Sequence, residues 1–175
     1  MIPDSRSVVR KAYAQKGYTC SGKRASYSKW IDTKHPRLLN GKKYGIADWC
    51  AIFVLFCITA CAGKTKDAAY TACVPLKSSA AGVKYLYQYM MARGRNTSIP
   101  HYGDFVFLSN DKTKFAHVGL VYEVDDKYIK YIAGNETTLK NGKKKKGVRT
   151  HKILRTSKRI YAYGRPRYSD WKEIE

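Results

Sequence analysis

The feature that most constrains this chain is an apolar run from Trp49 to Ala62, 14 residues interrupted only by Thr59. A run of that length falls short of the roughly 20 apolar residues that a membrane-spanning helix needs. It must therefore be buried inside a protein core. Asp48 stands where an N-cap belongs and Gly63 where a helix stops, so the run reads as a helix covered on more than one face.

The rest of the chain has to supply that cover. Residues 5–16 place Val8, Val9, Ala12 and Tyr13 at helical spacing, with Asp4 or Ser5 as cap and Gly17 as stop. From Gly17 to Ile46 the sequence is polar and punctuated by Gly, Pro and Asn, which reads as a long loop holding Tyr27, Trp30 and His35. Loops of that length often serve a binding site. A third helix is expected from about Ser79 to Arg93, with Val83, Leu86, Tyr87 and Met90 on one face. After Pro100 the period shortens to β-like runs: Asp104–Leu108, Val118–Val124, Tyr128–Ile132, Val148–Leu154 and Ile160–Gly164. Helices first and strands afterwards predict an α+β fold, with N-terminal helices packed against a C-terminal antiparallel sheet of about five strands. At 175 residues and 44% hydrophobic, the chain has material for one core, and residues 1–175 read as a single domain. Lys143 to Lys146, between Gly142 and Gly147, reads as an exposed loop joining two strands.

Lys and Arg total 34 against 13 acidic residues, a net charge of +21 that attracts polyanions. Nucleic acid, an anionic membrane surface and an anionic bacterial wall all fit, and charge alone does not choose. No membrane span is expected, and no apolar stretch of signal-peptide length opens the sequence, so export would use another route or an upstream segment. The five cysteines are odd in number and form no C-x-x-C pair or zinc-finger spacing, so neither a disulfide framework nor a metal site is expected. Cys20, Cys57, Cys61 and Cys73 read as core residues.

Cys50 is different, because it falls at the start of the apolar helix, where backbone N–H groups and the positive end of the dipole favour a thiolate. The same donors suit an oxyanion. His117 opens the strand Val118–Val124, and a turn at Asp125-Asp126-Lys127 sends the chain back. If those three residues form the turn, His117 lies opposite Asn135; with a two-residue turn its partner is Gly134. Either register brings the Asn amide near the imidazole, as the third member of a Cys-His-Asn arrangement for acyl transfer.

The residues around these three resemble the motifs of CHAP-type cysteine amidohydrolases, the amidases and peptidases that cut bacterial peptidoglycan. Asp48-Trp-Cys-Ala-Ile-Phe-Val is similar to the nucleophile motif of that family. Tyr102-Gly-Asp-Phe-Val-Phe, Ala116-His-Val-Gly-Leu-Val and Ile132-Ala-Gly-Asn resemble its Gly-Asp strand, histidine strand and Glu-Gly-Asn segment, in the same order, and Tyr163-Gly-Arg-Pro resembles a closing motif. The similarity runs from about Gly17 to Tyr168. In one place it departs: many relatives carry Glu two residues before the Asn, where this chain has Ala133, and Glu136 follows instead. Either Asn135 alone orients His117 or Glu136 assists from the neighbouring position, and the hairpin register favours Asn135 alone.

The resemblance implies a papain-like fold and amide hydrolysis through a thioester acyl-enzyme, without cofactor. Cys50 is the implied nucleophile and His117 the base. Tyr44, Asp48 and Trp49 are implied to border the oxyanion hole or groove, and Trp30 and Tyr102 to line the cleft. Peptidoglycan is the implied substrate, and teichoic acids, which are polyanionic, account for the charge and make nucleic acid the weaker partner. Action at the cell wall, by a secreted or phage-delivered protein, follows. An NlpC-type endopeptidase is the alternative within the class. A non-catalytic basic module that binds nucleic acid or wall polymer is the alternative outside it.

Overall fold

A computed structural model describes residues 1–20, 25–34, 48–63, 73–74, 81–110 and 115–171. The first amphipathic stretch forms helix α1 (Ser5–Tyr13). Asp4 caps it, its carboxylate accepting from the Ser7 backbone N–H at 2.8 Å and the Ser7 hydroxyl at 2.7 Å. Val8, Val9 and Ala12 form its buried face.

The stretch expected to be a loop holds two elements instead, the short strand β1 (Thr19–Cys20) and helix α2 (Ser26–Lys34). Tyr27 and Ile31 stand four residues apart and are both buried, so apolar packing of one helical face overrides the polar composition. His35 and Tyr44 lie outside the described residues.

The apolar run forms α3 (Cys50–Cys61), with Cys50 its first residue. All but three of its side chains are buried, as an all-round apolar helix requires. It packs against α1, α2, the sheet and a further helix, α4 (Val83–Met91). No described helix is long and apolar enough to cross a membrane.

The remaining strands are β2 (Asn96–Thr97), β3 (Phe105–Ser109), β4 (Phe115–Val124), β5 (Tyr128–Lys140), β6 (Lys143–Leu154) and β7 (Ile160–Gly164). They form one antiparallel sheet in the order β1-β6-β5-β4-β3-β7-β2. The fold is α+β. Seven strands stand where about five were expected, because β1 and β2, two residues each, lie at the edges and leave no readable period.

The lysine tract is also part of the sheet. Asn141 and Gly142, at φ 52° and 71°, make the tight turn of a hairpin in which Lys143 pairs with Lys140 and Lys146 with Thr137. Both central residues have positive φ, the geometry for which Asn-Gly is the favoured pair. Lys143–Lys146 is therefore strand, not loop.

Phe105, Phe107, Val118, Leu120 and Ile132 face the helices in the main core, while Val106, Leu108, Val121, Tyr131 and Ala133 form a second cluster. Alternation along β3 and β4 puts the two clusters on opposite faces of the sheet. Buried Asp104 clamps the start of β3 to the end of β7, accepting from Arg165 Nε at 3.1 Å and Nη2 at 3.0 Å. The Tyr168 hydroxyl donates to the Gly103 carbonyl at 2.9 Å, which closes the same junction.

Candidate active site

The amino end of α3 is held in place by three contacts. Trp49 occupies the cap position and makes no side-chain cap hydrogen bond, which corrects the expectation that Asp48 caps the helix. The Asp48 carboxylate instead accepts from Asn135 Nδ2 at 2.6 Å, tying the approach to Cys50 onto β5. Trp49 is buried, stacked on Tyr27 with ring centroids 5.0 Å apart, so it anchors the helix rather than borders a groove. At Gly134 the backbone of β5 touches α3 directly. A Cβ there would lie 2.6 Å from both Phe53 Cβ and Trp49 Cζ3, so any larger residue would push the helix away.

Cys50 is 3% exposed, and its side chain stands beside the His117 imidazole, close enough to favour its charged form. His117 Nε2 lies 2.7 Å from Glu136 Oε1, and the same oxygen lies 3.2 Å from His151 Nε2. Neither ring nitrogen points its N–H in line with that oxygen, so both contacts are ion pairs more than hydrogen bonds. With Nε2 given to Glu136, Nδ1 is the ring nitrogen left to serve the thiol.

Burial opposes a charge on His117, but the neighbouring Cys50 and Glu136 side chains outweigh it and push the imidazole up to about 9. Burial would likewise raise Glu136, yet the His117 and His151 imidazoles hold its carboxyl well below the usual range. The pair is thus set as imidazolium and carboxylate. The buried Cys57 and Cys73 thiols are pushed up, Cys73 to about 12, chiefly by burial.

Glu136, not Asn135, is therefore the residue on His117, and the reason is a bulge. The hairpin closes on a two-residue turn, Asp126-Lys127, with Asp125 N donating to the Tyr128 carbonyl at 3.0 Å. A register shift at Tyr122 then restores the offset that a three-residue turn would have set, so Leu120 pairs with Ile132. On the other side of β5, Ala133 pairs with Arg149 but Glu136 pairs with Gly147, so two residues, Gly134 and Asn135, oppose the single Val148. Asn135 takes φ 63° to allow this. The extra residue inverts the in-out alternation, and Glu136 arrives where period-two counting puts Asn135. Beside it, His151 stacks on Tyr131 with centroids 5.1 Å apart.

The other candidates lie elsewhere. Trp30 packs edge-on against Phe56 at 5.3 Å, half-buried beside α3. Tyr102, exposed, borders a cleft with His101, Asp104 and Arg165 that neither Cys50 nor His117 lines. Tyr44 is outside the described residues. From sequence, Gly134 enters only as a register partner of His117, Glu136 only beside Asn135, and His151 not at all, although Gly-Asn inside a strand pattern signals a bulge. Comparisons of the chain with protein-family models, with curated proteins and with solved structures find no match.

Proposed function

We propose that the chain is a cysteine hydrolase of bacterial peptidoglycan, working through Cys50, His117 and Glu136 on a papain-like core. The observation that carries the reading is one line of groups: a cysteine opening a buried helix, beside a histidine whose Nε2 lies 2.7 Å from a half-buried carboxylate. That is the set of parts acyl transfer needs, a nucleophile, a base and a group that orients the base. The motif resemblance and the net charge of +21 support a wall substrate.

The sulfur of Cys50, its proton taken by His117, attacks the scissile carbonyl carbon, and the C–N bond breaks as His117 gives that proton to the departing amine. A thioester remains. Water attacks it as His117 takes one water proton, the C–S bond breaks to release the carboxylic acid, and His117 returns that proton to the Cys50 sulfur. Glu136 holds the ring and balances its charge through the cycle, while N–H groups in the first turn of α3 face the developing oxyanion. Asn135 acts one step back, by fixing Asp48 and thus the helix start.

The test is a gel containing cell walls. Clearing by the wild type, lost in a folded Cys50→Ala variant, supports the reading; clearing that persists in that variant removes Cys50 from the mechanism. Salt-dependent DNA binding without clearing would favour a basic binding module. Mass analysis of released muropeptides separates an amidase cut next to muramic acid from an NlpC-type cut inside the peptide.

A further inference from the structure

Beyond the bulge that delivers Glu136, β5 and β6 run on as a pair to the Asn141-Gly142 turn, about 13 Å further at the usual strand rise. Their neighbours stop short. Among the described residues, β4 pairs with β5 only from Ile129 to Ile132, and β1 reaches β6 only at Lys146 and Gly147. Among these residues the end of the hairpin is thus a two-stranded ribbon.

From Thr137 to Lys146 the ribbon carries Lys140, Lys143, Lys144, Lys145 and Lys146, and no Asp, Glu or aromatic residue. The ladder puts Lys144 and Lys146 on one face with Thr137 and Leu139, all exposed, and Lys143 and Lys145 on the other. Positions two apart on one face are about 7 Å from each other along the strand. Lys146 has a structural task, because its ammonium donates to the Asn135 carbonyl at 3.3 Å and so roots the ribbon on the bulge that Asn135 ties to Asp48. The side chains of Lys143, Lys144 and Lys145 make no ion pair and no hydrogen bond among the described residues. A lysine on a strand edge serves to block pairing with another chain. That role calls neither for cations on both faces nor for Lys140 directly across the ladder from Lys143, a placing of like charges that destabilises a sheet.

We propose that this ribbon holds a linear polyanion, an aliphatic polyol-phosphate chain, beside the catalytic bulge. Successive phosphodiesters give such a chain negative charge at regular intervals, which rows of ammonium groups can follow, and its contact relieves the repulsion among the lysines. Lysine suits the task, because it acts on phosphate as a point charge and needs no fixed fork geometry. Single-stranded nucleic acid is held by aromatic platforms as well as by cations, and the ribbon has no aromatic residue. A membrane surface takes up an apolar face, and Leu139 is the single apolar residue of the ribbon. The choice of a polyol-phosphate chain as the polyanion rests on the wall-hydrolase reading; the polyanion chemistry of the ribbon does not. Bound there, the polymer would keep the enzyme on the wall while the cysteine site turns over.

The experiment is calorimetric titration of the full chain with a glycerol-phosphate oligomer over a series of salt concentrations. Two triple variants lose the same charge: Lys143→Gln, Lys144→Gln and Lys145→Gln on the ribbon, and Lys29→Gln, Lys84→Gln and Lys158→Gln at exposed lysines on α2, on α4 and before β7. The ribbon variant should bind about tenfold or more weakly at low salt, and its plot of log K against log salt should flatten by roughly one unit per lysine engaged. The scattered variant should stay within about threefold of the wild type, with its slope nearly unchanged. Equal effects of the two variants would reduce binding to bulk charge and overturn the site, as would an absence of binding by the wild type. An oligonucleotide with the same number of phosphates, and vesicles containing phosphatidylserine, should bind no more tightly per anionic group than the oligomer does. Tighter binding of either, lost with the ribbon lysines, would overturn the polyol-phosphate assignment. Thermal unfolding of each variant separates lost binding from lost structure. No peptidoglycan is present, so failure here leaves the hydrolase reading standing, and failure to clear walls with binding intact sinks only the hydrolase.

Discussion

Glu136→Gln is the sharpest perturbation, because it keeps the side chain's size and removes the one charge that two imidazoles share, at 2.7 Å from His117 and 3.2 Å from His151. His117 stands at about 9 against an ordinary 6.5. At about 1.4 kcal/mol per unit, that rise amounts to roughly 3 kcal/mol in favour of the imidazolium. Burial works against it, so Cys50 and Glu136 supply it together. With about half assigned to the carboxylate, the substitution lowers His117 by roughly one to two units. Because the folded value is raised, this stabilisation is complete below 6.5 and is lost as pH rises through about 9. In the variant the upper limit falls to roughly 7 to 8, and the stability lost between about pH 6 and about pH 9 shrinks by roughly 1 to 2 kcal/mol. NMR titration of the histidine side chains reads the pKa, denaturant unfolding at the two pH values reads the linkage, and the alkaline limb of wall hydrolysis should move down with His117. Activity near neutrality should fall roughly 10- to 100-fold. An unshifted His117, or a larger shift from Asn135→Ala than from Glu136→Gln, would refute the assignment of Glu136.

Gly134→Ala places a methyl 2.6 Å from Phe53 Cβ and Trp49 Cζ3. It should cost about 1–3 kcal/mol in unfolding experiments and lower turnover by displacing Cys50, and neutral behaviour would show that α3 tolerates a shift. His151→Gln should reduce turnover roughly two- to fivefold while moving the His117 titration less than Glu136→Gln does; a loss as large as that of Glu136→Gln would put His151 in the chemistry itself. Wall clearing should survive excess EDTA, because Gly17–Tyr27, the region where some members of the resembled family bind calcium, contains no carboxylate and two cations, Lys23 and Arg24. A large loss that calcium reverses would reveal a missed site.

What could be read from the sequence was whatever depends on local pattern. Burial of the Trp49–Ala62 run follows from its having too few polar residues for any exposed face, and β3, β4 and β7 follow from short apolar periods. Cys50 at a helix start and His117 at a strand start are local features too, each set by neighbours within a few residues. Helix α2 escaped because its buried face holds only two apolar residues, Tyr27 and Ile31, beside the polar Ser28, and β1 and β2 because two residues carry no period. The third member of the site was decided by tertiary structure. Period-two counting holds only in an unbroken ladder, and whether Gly134-Asn135 extends the strand or bulges depends on what lies across from it. Gly147 on β6 and the close approach of α3 at Gly134 settle that question, and neither is near in sequence. One inserted residue then exchanged an amide for a carboxylate beside His117.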